Sequence, residues 1–377
     1  MTETRTLRVA IQQPALPKYR VPVFRALAAR SGLDVSVHYG SAPGLPNVAA
    51  EGFSATPAPV RTVRLLGQPL YWHPPQLTLA DRRHADVLVL TWNIRFLSLI
   101  PALRRARRNG VATILWGHGY SKAESTLGRA LRDRVTRLAT AVVFYNHSAA
   151  NAFIKQGGDA KRVFVAPNAL DQTPIEEAQR PWRNEPGTLL EFKQANGLVG
   201  PTLIFVSRLE RANRVDLLLE ASARLKTRWP SLKVIIIGDG EAAEELSALA
   251  KRLELLEQVR FLGAIYDERS LAPWMLSADA FCYPASIGLS ILHAFGYGLP
   301  VVTSDRIEAQ NPEIEALRPD ENGLLYQDGD ADSLAARLAQ LIEDREKRER
   351  MSTAALATVR DRVSLSAMVD LSLIHIS

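Results

Sequence analysis

Short apolar runs rich in valine, isoleucine and leucine alternate with longer segments of helical hydrophobic period along most of the chain. Such alternation is typical of βαβ units, in which amphipathic helices join buried parallel strands. The predicted strands of the first half are Arg8–Gln12, Asp34–His38, Asp86–Thr91, Thr113–Trp116, Ala141–Tyr145 and Arg162–Ala166. Those of the second half are Thr202–Ser207, Lys233–Ile237, Gln258–Leu262, Ala280–Tyr283, Val301–Ser304 and Leu324–Tyr326. The pattern predicts an α/β fold of two doubly wound, Rossmann-like domains, with binding residues at the carboxyl ends of strands.

Helical segments fill the intervals between these strands. In the first half they are Val21–Ala29, Ile94–Arg108, Gly128–Ala139 and Ala149–Gln156. In the second half they are Val215–Thr227, Ala242–Leu253, Arg269–Leu276, Ser290–Tyr297, Glu313–Leu317, Ala331–Glu343 and Glu346–Arg360.

The alternation fails between residues 171 and 200, where prolines and glycines follow no clear period. We predict an interdomain linker there, with one short helix around Thr188–Asn196. The chain then divides into an N-terminal domain of residues 1–170 and a C-terminal domain of residues 201–345. A final helix within residues 346–370 can pack back toward the first domain. We expect the active site in the cleft between the two domains, because ligand sites favour domain interfaces.

The last seven residues, Leu371–Ser377, resemble the translation of a transposase adapter used in sequencing libraries. We therefore expect the natural sequence to depart from this one near Asp370, and we leave these residues out of the fold prediction. A genuine apolar tail is the alternative.

Charge is distributed unevenly along the chain. Residues 1–170 hold 23 Lys+Arg and 8 Asp+Glu, whereas residues 171–377 hold 23 and 32. A basic half is suited to nucleic acid, to an anionic membrane surface or to a phosphate-bearing substrate. The first half lacks interleaved aromatic residues and a known nucleic-acid motif, which argues against nucleic acid as a partner.

Other sequence features exclude several classes of protein. No uncharged apolar run reaches 18 residues, so we expect no membrane-spanning helix. The single cysteine, Cys282, excludes an internal disulfide and suits a reducing compartment such as the cytoplasm. The histidines are scattered, without the spacing of a metal site, and the Walker and Gly-x-Ser-x-Gly motifs are absent.

The first candidate site follows the strand Thr202–Ser207. Arg208 stands just past this strand, where a parallel sheet presents its ligands, and a guanidinium grips a diphosphate through paired hydrogen bonds. Arg211 and Arg214 add positive charge. The alternative is a solvated loop with an ion pair to Glu210 or Asp216.

Two further strand ends carry glycines. Gly238 and Gly240 follow a buried strand and allow a ligand to approach the backbone closely, although tight turns use the same residues. Gly288, Leu289 and Ser290 open a helix after the strand Ala280–Tyr283, where main-chain N–H groups and the helix dipole favour a phosphate. His293, one turn into that helix, is placed to reach a ribose hydroxyl or to serve a structural role.

The first half offers residues of its own at strand ends. His118 lies between Gly117 and Gly119 after the strand Thr113–Trp116, either entering the cleft or bonding the backbone in a turn. The loop after the first strand carries Pro14, Lys18, Tyr19 and Arg20, which we expect on the acceptor side.

Two basic segments of the first half are candidates for docking on an anionic membrane. The stretch Ser121–Leu138 predicts an apolar face of Leu127, Leu131, Val135 and Leu138 flanked by Arg129, Arg132 and Arg137. A second cluster comprises Arg104, Arg105, Arg107 and Arg108. Solvated helix faces are the alternative to docking.

Taken in order, these segments resemble the retaining family-4 glycosyltransferases of the GT-B fold, over about residues 7–360 and most strongly in the second half. The segments are Val165–Asp171, Val206–Leu209 with Asp216, Ile237–Gly240, Val259–Gly263, Pro284–Val302, Pro312–Ala316 and Glu321–Tyr326.

The resemblance implies transfer of a sugar from a UDP- or GDP-sugar, which is a co-substrate, with no cofactor and no required metal. It gives Arg208 the role of the diphosphate arginine and Gly288–Ser290 the role of the phosphate-binding amides. It places Phe261, Leu262 and Gly263 beside the nucleobase and His118 near the transferred sugar, so that His118 and Arg208 are the expected catalytic residues. Retention is expected through front-face attack, with the leaving diphosphate helping to deprotonate the acceptor.

The sequence departs from the family pattern at two places. The family's basic partner of the arginine is a lysine, and Asn213 occupies that position here with Arg214 beside it. The family's Glu-x7-Glu pair is replaced by Ala285 and His293. We expect Arg214 to stand in for the lysine and His293 to bond the ribose.

The expected acceptor is a glycan or lipid-linked glycan bound by the basic N-terminal domain, in the cytoplasm or at the inner face of the plasma membrane. Two alternatives stay open: a degenerate nucleotide-sugar-binding scaffold that has lost transfer, and a GT-B sugar epimerase.

Overall fold

The computed structural model describes residues 6–42, 45–65, 67–119 and 126–373. The chain forms two compact units. The N-terminal unit extends to Asn168 and also includes the helix that begins at Leu365, and the C-terminal unit comprises Ala169–Ser364. Each unit contains one parallel sheet, as the alternating pattern predicts.

The N-terminal sheet has seven parallel strands in the order β3-β2-β1-β6-β7-β8-β9. Its strands are β1 (Leu7–Gln13), β2 (Leu33–Tyr39), β3 (Ser54–Pro57), β6 (Val87–Thr91), β7 (Ala112–Gly117), β8 (Ala141–Phe144) and β9 (Val163–Val165). An antiparallel hairpin of β4 (Arg61–Leu65) and β5 (Gln68–Trp72) lies outside this sheet. The sequence prediction missed β3 and the hairpin, whose residues are mostly exposed and therefore lack a hydrophobic pattern.

The helices of the N-terminal unit cover the faces of this sheet. They are α1 (Val21–Ala28), α2 (Pro75–Thr78), α3 (Leu99–Arg108), α4 (Thr126–Thr136), α5 (His147–Lys155) and, from the end of the chain, α14 (Leu365–Leu373). The helix predicted over Ile94–Arg108 begins only at Leu99, because residues 94–98 form a turn in which Phe96 N–H donates to the carbonyl of Asn93. Helix α14 packs against α1, with Met368 and Val369 buried and Arg30 paired with Asp370.

The C-terminal sheet has six parallel strands in the order β12-β11-β10-β13-β14-β15. Its strands are β10 (Thr202–Val206), β11 (Lys233–Ile237), β12 (Val259–Phe261), β13 (Ala280–Tyr283), β14 (Val301–Ser304) and β15 (Gly323–Tyr326). Nearly every residue of β10, β11, β13 and β14 is buried, because helices cover both faces of a doubly wound sheet.

The helices of this unit are α6 (Thr173–Asn184), α7 (Pro186–Ala195), α8 (Val215–Leu225), α9 (Ala243–Arg252), α10 (Glu268–Ser277), α11 (Ser290–Gly296), α12 (Ala331–Glu343) and α13 (Arg345–Ala357). The helix predicted over Glu313–Leu317 is a 3-10 turn, Pro312–Ala316. Across the described residues, every helix is too short or too polar to cross a lipid bilayer.

The segment predicted as a linker, residues 171–200, consists mainly of the two helices α6 and α7. Ile175 and Ala178 on α6 are buried in the core of the C-terminal unit. The rings of Trp182, Phe192 and Trp274 pack edge to face in sequence, with centroids 5.7 and 5.0 Å apart, and so connect both helices to α10. The prolines that obscured the helical period lie inside α6 or at the helix starts, and the segment belongs to the C-terminal unit.

Candidate functional site

The predicted donor-binding residues of the C-terminal unit follow four adjacent strands. Because β12, β11, β10 and β13 are neighbours and parallel, their carboxyl ends lie at one edge of the sheet. The residues there are Arg208 after β10, Gly238 and Gly240 after β11, Phe261, Leu262 and Gly263 at the end of β12, and Gly288, Leu289 and Ser290 after β13. The structure therefore brings these residues of the predicted set to the same edge.

Gly238 lets two of these loops approach each other closely. A Cβ atom at Gly238 would lie 1.8 Å from the carbonyl oxygen of Ser207, and its φ of +150° is one that other residues rarely adopt. Main-chain hydrogen bonds join the loops: Leu209 N–H donates to Asp239 at 2.9 Å, and Gly238 N–H donates to Gly263 at 2.8 Å. The ends of β10, β11 and β12 thus form one hydrogen-bonded unit.

Arg208 is exposed over 74% of its side chain, and its Nη1 lies 2.9 Å from Oε1 of Glu210. Asn213, at the position of the family's lysine, uses its amide within the protein: Nδ2 donates to the carbonyl of Arg208 at 2.7 Å, and Oδ1 accepts from the Tyr283 hydroxyl at 2.9 Å. Asn213 therefore links the loop after β10 to the end of β13 and fixes the backbone of Arg208.

Arg214 adopts a left-handed backbone, with a φ of 52°, immediately before α8. Its guanidinium forms hydrogen bonds to both carboxylate oxygens of Asp216 at 3.1 and 3.2 Å. The pKa of Arg214 is raised, chiefly by these hydrogen bonds. The guanidinium of Arg214 is therefore paired with the carboxylate of Asp216, and 44% of the arginine side chain is exposed to solvent.

The main-chain N–H groups of Gly288, Leu289 and Ser290 make no hydrogen bond with any residue that the structure describes. The preceding loop is held from the other side, since Ile287 N–H donates to Oε1 of Gln310 at 2.8 Å and Asn311 Nδ2 donates to the Ser286 carbonyl at 3.1 Å. Three adjacent donors without protein partners at a strand end are suited to bind an anion.

His293 is held by a residue that sequence reasoning missed. Its Nε2 lies 2.8 Å from Oε1 of Glu268, the first residue of α10, and the Tyr297 hydroxyl donates to the same oxygen at 2.6 Å. Burial, followed by the bond to Glu268, raises the pKa of Tyr297. The only sequence signal for Glu268 was its position after the helix-capping Asp267, because 25 residues separate it from His293.

The N-terminal unit has its own strand-end residues. His118 is exposed just after β7, and its ring centroid lies 4.8 Å from that of Tyr145, which follows β8. Gly119 must be a glycine there, because its φ is +76° and a Cβ atom would lie 2.4 Å from the Phe144 ring. The next residue, Tyr120, lies outside the described residues.

The four predicted acceptor-side residues occupy the loop and 3-10 turn between β1 and α1. Pro14 and Tyr19 are half-buried and Lys18 is exposed. Arg20 is only 6% exposed, and its guanidinium donates to the Tyr145 hydroxyl at 2.6 Å. Burial opposes the charge of Arg20, but contacts with the hydroxyls of Tyr145 and Tyr19 outweigh it and raise the arginine's pKa.

The amphipathic helix predicted over Ser121–Leu138 differs from α4. Residues 121–125 lie outside the described residues, as do the side chains of Leu127 and Arg129. Leu131 is 42% exposed, whereas Arg132 is buried with its guanidinium carbon 6.0 Å from the centre of the Trp92 ring. Val135 is buried, as the predicted apolar face requires. The prediction placed Leu131 on that face and Arg132 beside it, because a buried arginine over an aromatic ring has no hydrophobic signature. The second basic cluster fits its prediction better, since all four arginines are exposed on α3.

The family model for glycosyl transferases group 1 matches residues 190–358, most of the C-terminal unit and all four strand ends described above. The C-terminal unit carries a domain of the glycosyl transferases group 1 family. The strand-end arginine, glycines and free amides thus belong to a group 1 glycosyltransferase domain.

Two relatives indicate the range of this family. The chain is 30% identical over 173 residues to the lipopolysaccharide core biosynthesis glycosyltransferase LpsE of Rhizobium meliloti. The aligned segment covers 45% of this chain and 48% of LpsE. It is 32% identical over 167 residues to the phosphatidyl-myo-inositol mannosyltransferase of Mycobacterium leprae, and this segment covers 43% of this chain and 42% of that enzyme. The chain therefore spans about half the length of the curated relatives that it matches.

Solved structures extend the likeness in fold to the whole chain. The structure of HepE from Anabaena in complex with UDP superimposes with a TM-score of 0.73 at 19% identity, covering 98% of this chain and 99% of that one. The lipopolysaccharide outer core galactosyltransferase WaaB superimposes with a TM-score of 0.67 at 14% identity, covering 98% and 99%. Both units of this chain thus share the GT-B fold of these proteins.

Proposed function

We propose that this protein is a glycosyltransferase that moves a sugar from a UDP- or GDP-sugar to a glycan or lipid-linked glycan, with retention of anomeric configuration. The observation that carries the proposal is the set of unbonded N–H groups at Gly288–Ser290, one strand away from Arg208. Main-chain amides and a guanidinium are the groups that bind a diphosphate best in proteins.

The names of related proteins support the donor and the acceptor. HepE was solved with UDP and with UDP-glucose, and the domain of the M. leprae enzyme is that of a mannosyltransferase acting on phosphatidyl-myo-inositol. LpsE acts in the biosynthesis of a lipopolysaccharide core. The HepE complexes support a nucleotide-sugar donor, and the other two names support a lipid-containing acceptor.

In the proposed reaction, Arg208 exchanges its exposed partner Glu210 for the donor diphosphate. The bond between the anomeric carbon and the β-phosphate oxygen breaks, and the three amides stabilise the charge that develops on that phosphate. The acceptor hydroxyl attacks the anomeric carbon from the face that the diphosphate leaves, and its proton passes to a phosphate oxygen. His118 contacts the transferred sugar, and no metal or cofactor takes part.

The departures from the family pattern are accommodated in the same proposal. Glu268 holds His293 on α11, so the pair supplies a carboxylate and an imidazole where the family has a single glutamate. Gly238, Gly240, Phe261, Leu262 and Gly263 line the nucleoside. Asn213 keeps the Arg208 backbone in place, and Arg214 supplies the second positive charge.

The basic N-terminal unit binds the acceptor in this proposal, through Pro14, Lys18, Tyr19 and Arg20. The four exposed arginines of α3 are suited to an anionic membrane surface, where a lipid-linked acceptor would be found. We therefore propose a protein that acts in the cytoplasm and at the inner face of the plasma membrane.

Two measurements test the proposal. A thermal-shift screen with UDP, GDP and ADP should raise the melting temperature for the nucleotide of the true donor, since ligands stabilise the state that binds them. Incubation with the matching nucleotide-sugars and lipid-linked acceptors should then release free nucleotide. Absence of both binding and release across all UDP- and GDP-sugars would refute the proposal.

A degenerate scaffold is the second candidate, favoured by Ala285 in place of the family's first glutamate. It predicts nucleotide binding without nucleotide release with any donor and acceptor. In that case Arg208→Ala would abolish nucleotide binding but leave the protein's cellular role intact.

A further inference from the structure

A buried cation lies at the carboxyl edge of the N-terminal sheet. The guanidinium carbon of Arg20 lies 5.6, 5.3 and 5.0 Å from the ring centres of Tyr19, Trp116 and Tyr145. Within the described part of the chain, no carboxylate oxygen lies within 4.0 Å of this guanidinium. Aromatic faces offset part of the cost of burying a charge, but they do not neutralise it.

A hydrogen-bond donor without a partner lies beside this arginine. The indole Nε1–H of Trp116 is buried, and the structure gives it no hydrogen-bond partner among the residues it describes. Buried N–H groups are nearly always paired in proteins, so one without a partner requires an explanation. A buried cation that has no carboxylate partner among the described residues thus lies beside a buried indole N–H that has no hydrogen-bond partner there.

The same cluster extends to the surface of the unit. His118 is exposed and its ring lies against that of Tyr145, which accepts a hydrogen bond from Arg20. A ligand held at His118 would therefore lie close to the buried positive charge. The positive charge of Arg20, beside the Trp116 indole N–H, favours an anion over a neutral sugar as the group bound here.

We propose that Tyr19, Arg20, Trp116 and Tyr145, here called the Arg20 pocket, bind an anionic oxygen group, a phosphate or a carboxylate, that the sugar acceptor carries. The inference rests on the proposed function, since it assigns the anion to an acceptor. It adds the chemical class of that acceptor: a phosphorylated or carboxylated molecule, with its charged group bound in the N-terminal unit.

The binding test uses inorganic phosphate as the probe and the indole N–H resonances of the full-length protein as the readout. The Trp116 signal is identified as the one that Trp116→Phe removes. Phosphate should move it downfield in a saturable manner, because a charged acceptor strengthens the hydrogen bond. Chloride at equal ionic strength should not move it. The Trp92 signal is the internal control.

Trp92 is a close match for Trp116. It is 4% exposed against 5%, its Nε1 likewise has no partner in the described structure, and Arg132 lies near its ring. It differs in being packed against Phe144 and Phe153 in the apolar core. A phosphate-dependent shift of both signals to the same extent would overturn the proposal.

Substitutions then locate the anion. The main-chain amide signal of Tyr145 is the readout for all variants, because Trp116→Phe removes the indole signal. Arg20→Gln should raise the dissociation constant for phosphate by about 30-fold, and Trp116→Phe by about fivefold. Arg25→Gln, an exposed arginine of the same segment, and Trp92→Phe should leave it unchanged. If Arg20→Gln does not fold, phosphate binding by Trp116→Phe and Arg20→Lys tests the proposal instead. Unchanged phosphate binding in the variants that fold would overturn the proposal.

A third comparison separates an acceptor anion from the donor diphosphate. Arg208→Gln should lose nucleotide binding and keep the phosphate-induced Trp116 shift, while Arg20→Gln should show the reverse. Displacement of phosphate from the Arg20 pocket by UDP or GDP would assign the pocket to the donor and overturn this inference. Failure of any nucleotide to bind the native protein would refute the proposed function alone.

Discussion

Oε1 of Glu268 is shared by His293 and Tyr297, at 2.8 and 2.6 Å, so that one carboxylate joins helices α10 and α11. Glu268→Ala should lower the free energy of unfolding by about 2 kcal/mol, because the Tyr297 hydroxyl is left buried without its acceptor. Denaturation of the single and double variants with Tyr297→Phe measures the coupling. We expect the double variant to recover part of the loss. Purely additive effects would contradict this account of the pair.

The exposed guanidinium of Arg208 should matter for the donor and not for folding. Arg208→Ala should lower kcat/KM by at least about 100-fold, in line with the loss of a preorganised group that stabilises transition-state charge. Arg211→Ala is the matched control, because Arg211 is 77% exposed and paired with Glu245 in the same loop. Equal losses in both variants would point to loop charge in general.

The loss of stability on replacing Gly238 should come mainly from its close contact with a neighbouring backbone and less from its backbone conformation. Gly238→Ala should cost about 3 kcal/mol or more, since its Cβ would collide with the Ser207 carbonyl. Gly329→Ala should cost only about 1 kcal/mol, because Gly329 has a φ of +76° but open space around it. Thermal unfolding of the two variants makes the comparison, and similar losses would refute it.

His73 should make the protein less stable in acid. Burial lowers its pKa to about 4, and burial also lowers the pKa of the nearby His38. Between pH 6.5 and 4 the unfolded chain binds a proton at His73 that the folded protein does not, so the contribution is complete above pH 6.5 and is lost as the pH falls toward 4. We expect a loss of about 2 kcal/mol.

The control for this titration uses two substitutions. His73→Gln should flatten the change of stability between pH 6.5 and 4.5, measured by urea denaturation, whereas His84→Gln, at an exposed position, should not. The reason lies in the amide network: Oε1 of Gln12 accepts from the Thr91 N–H, so its Nε2 donates to His73 Nδ1 and favours the neutral ring. An unchanged slope in His73→Gln would contradict this.

The basic face of α3 should determine membrane binding. Replacing Arg104, Arg107 and Arg108 with glutamine should weaken binding to vesicles containing anionic lipid by about 100-fold, at about 1 kcal/mol for each arginine. Neutral vesicles and high salt should abolish the difference. Arg105 is left in place because it pairs with Asp81. Equal sedimentation of both proteins with anionic vesicles would exclude this face.

Sequence reasoning succeeded where burial imposes a pattern. The buried strands were predicted within a few residues, because only apolar residues fit between two layers of helices, and the order of their strand-end motifs identified the family. The exposed hairpin was missed because its apolar residues Val63 and Leu65 are 59% and 60% exposed, so no buried face imposes a hydrophobic pattern on it. Helix α6 was missed because Pro181 lies inside it.

Side-chain relationships in the site were the least predictable part. The amide of Asn213, at the position of the family's lysine, uses both of its ends to join Arg208 and Tyr283. Glu268 and His293 meet across two helices, and the burial of Arg20 depends on rings more than 90 residues away in sequence. Local pattern carries no information on such contacts, which arise only once the sheet has assembled.

The hydrogen bonds from Leu209 to Asp239 and from Gly238 to Gly263 mean that no one of these three turns can open alone. A nucleotide that touches only one of them would slow amide exchange in all three. The conformational entropy of these turns was lost when the protein folded, so a ligand that binds at this edge of the sheet has little further ordering cost to overcome.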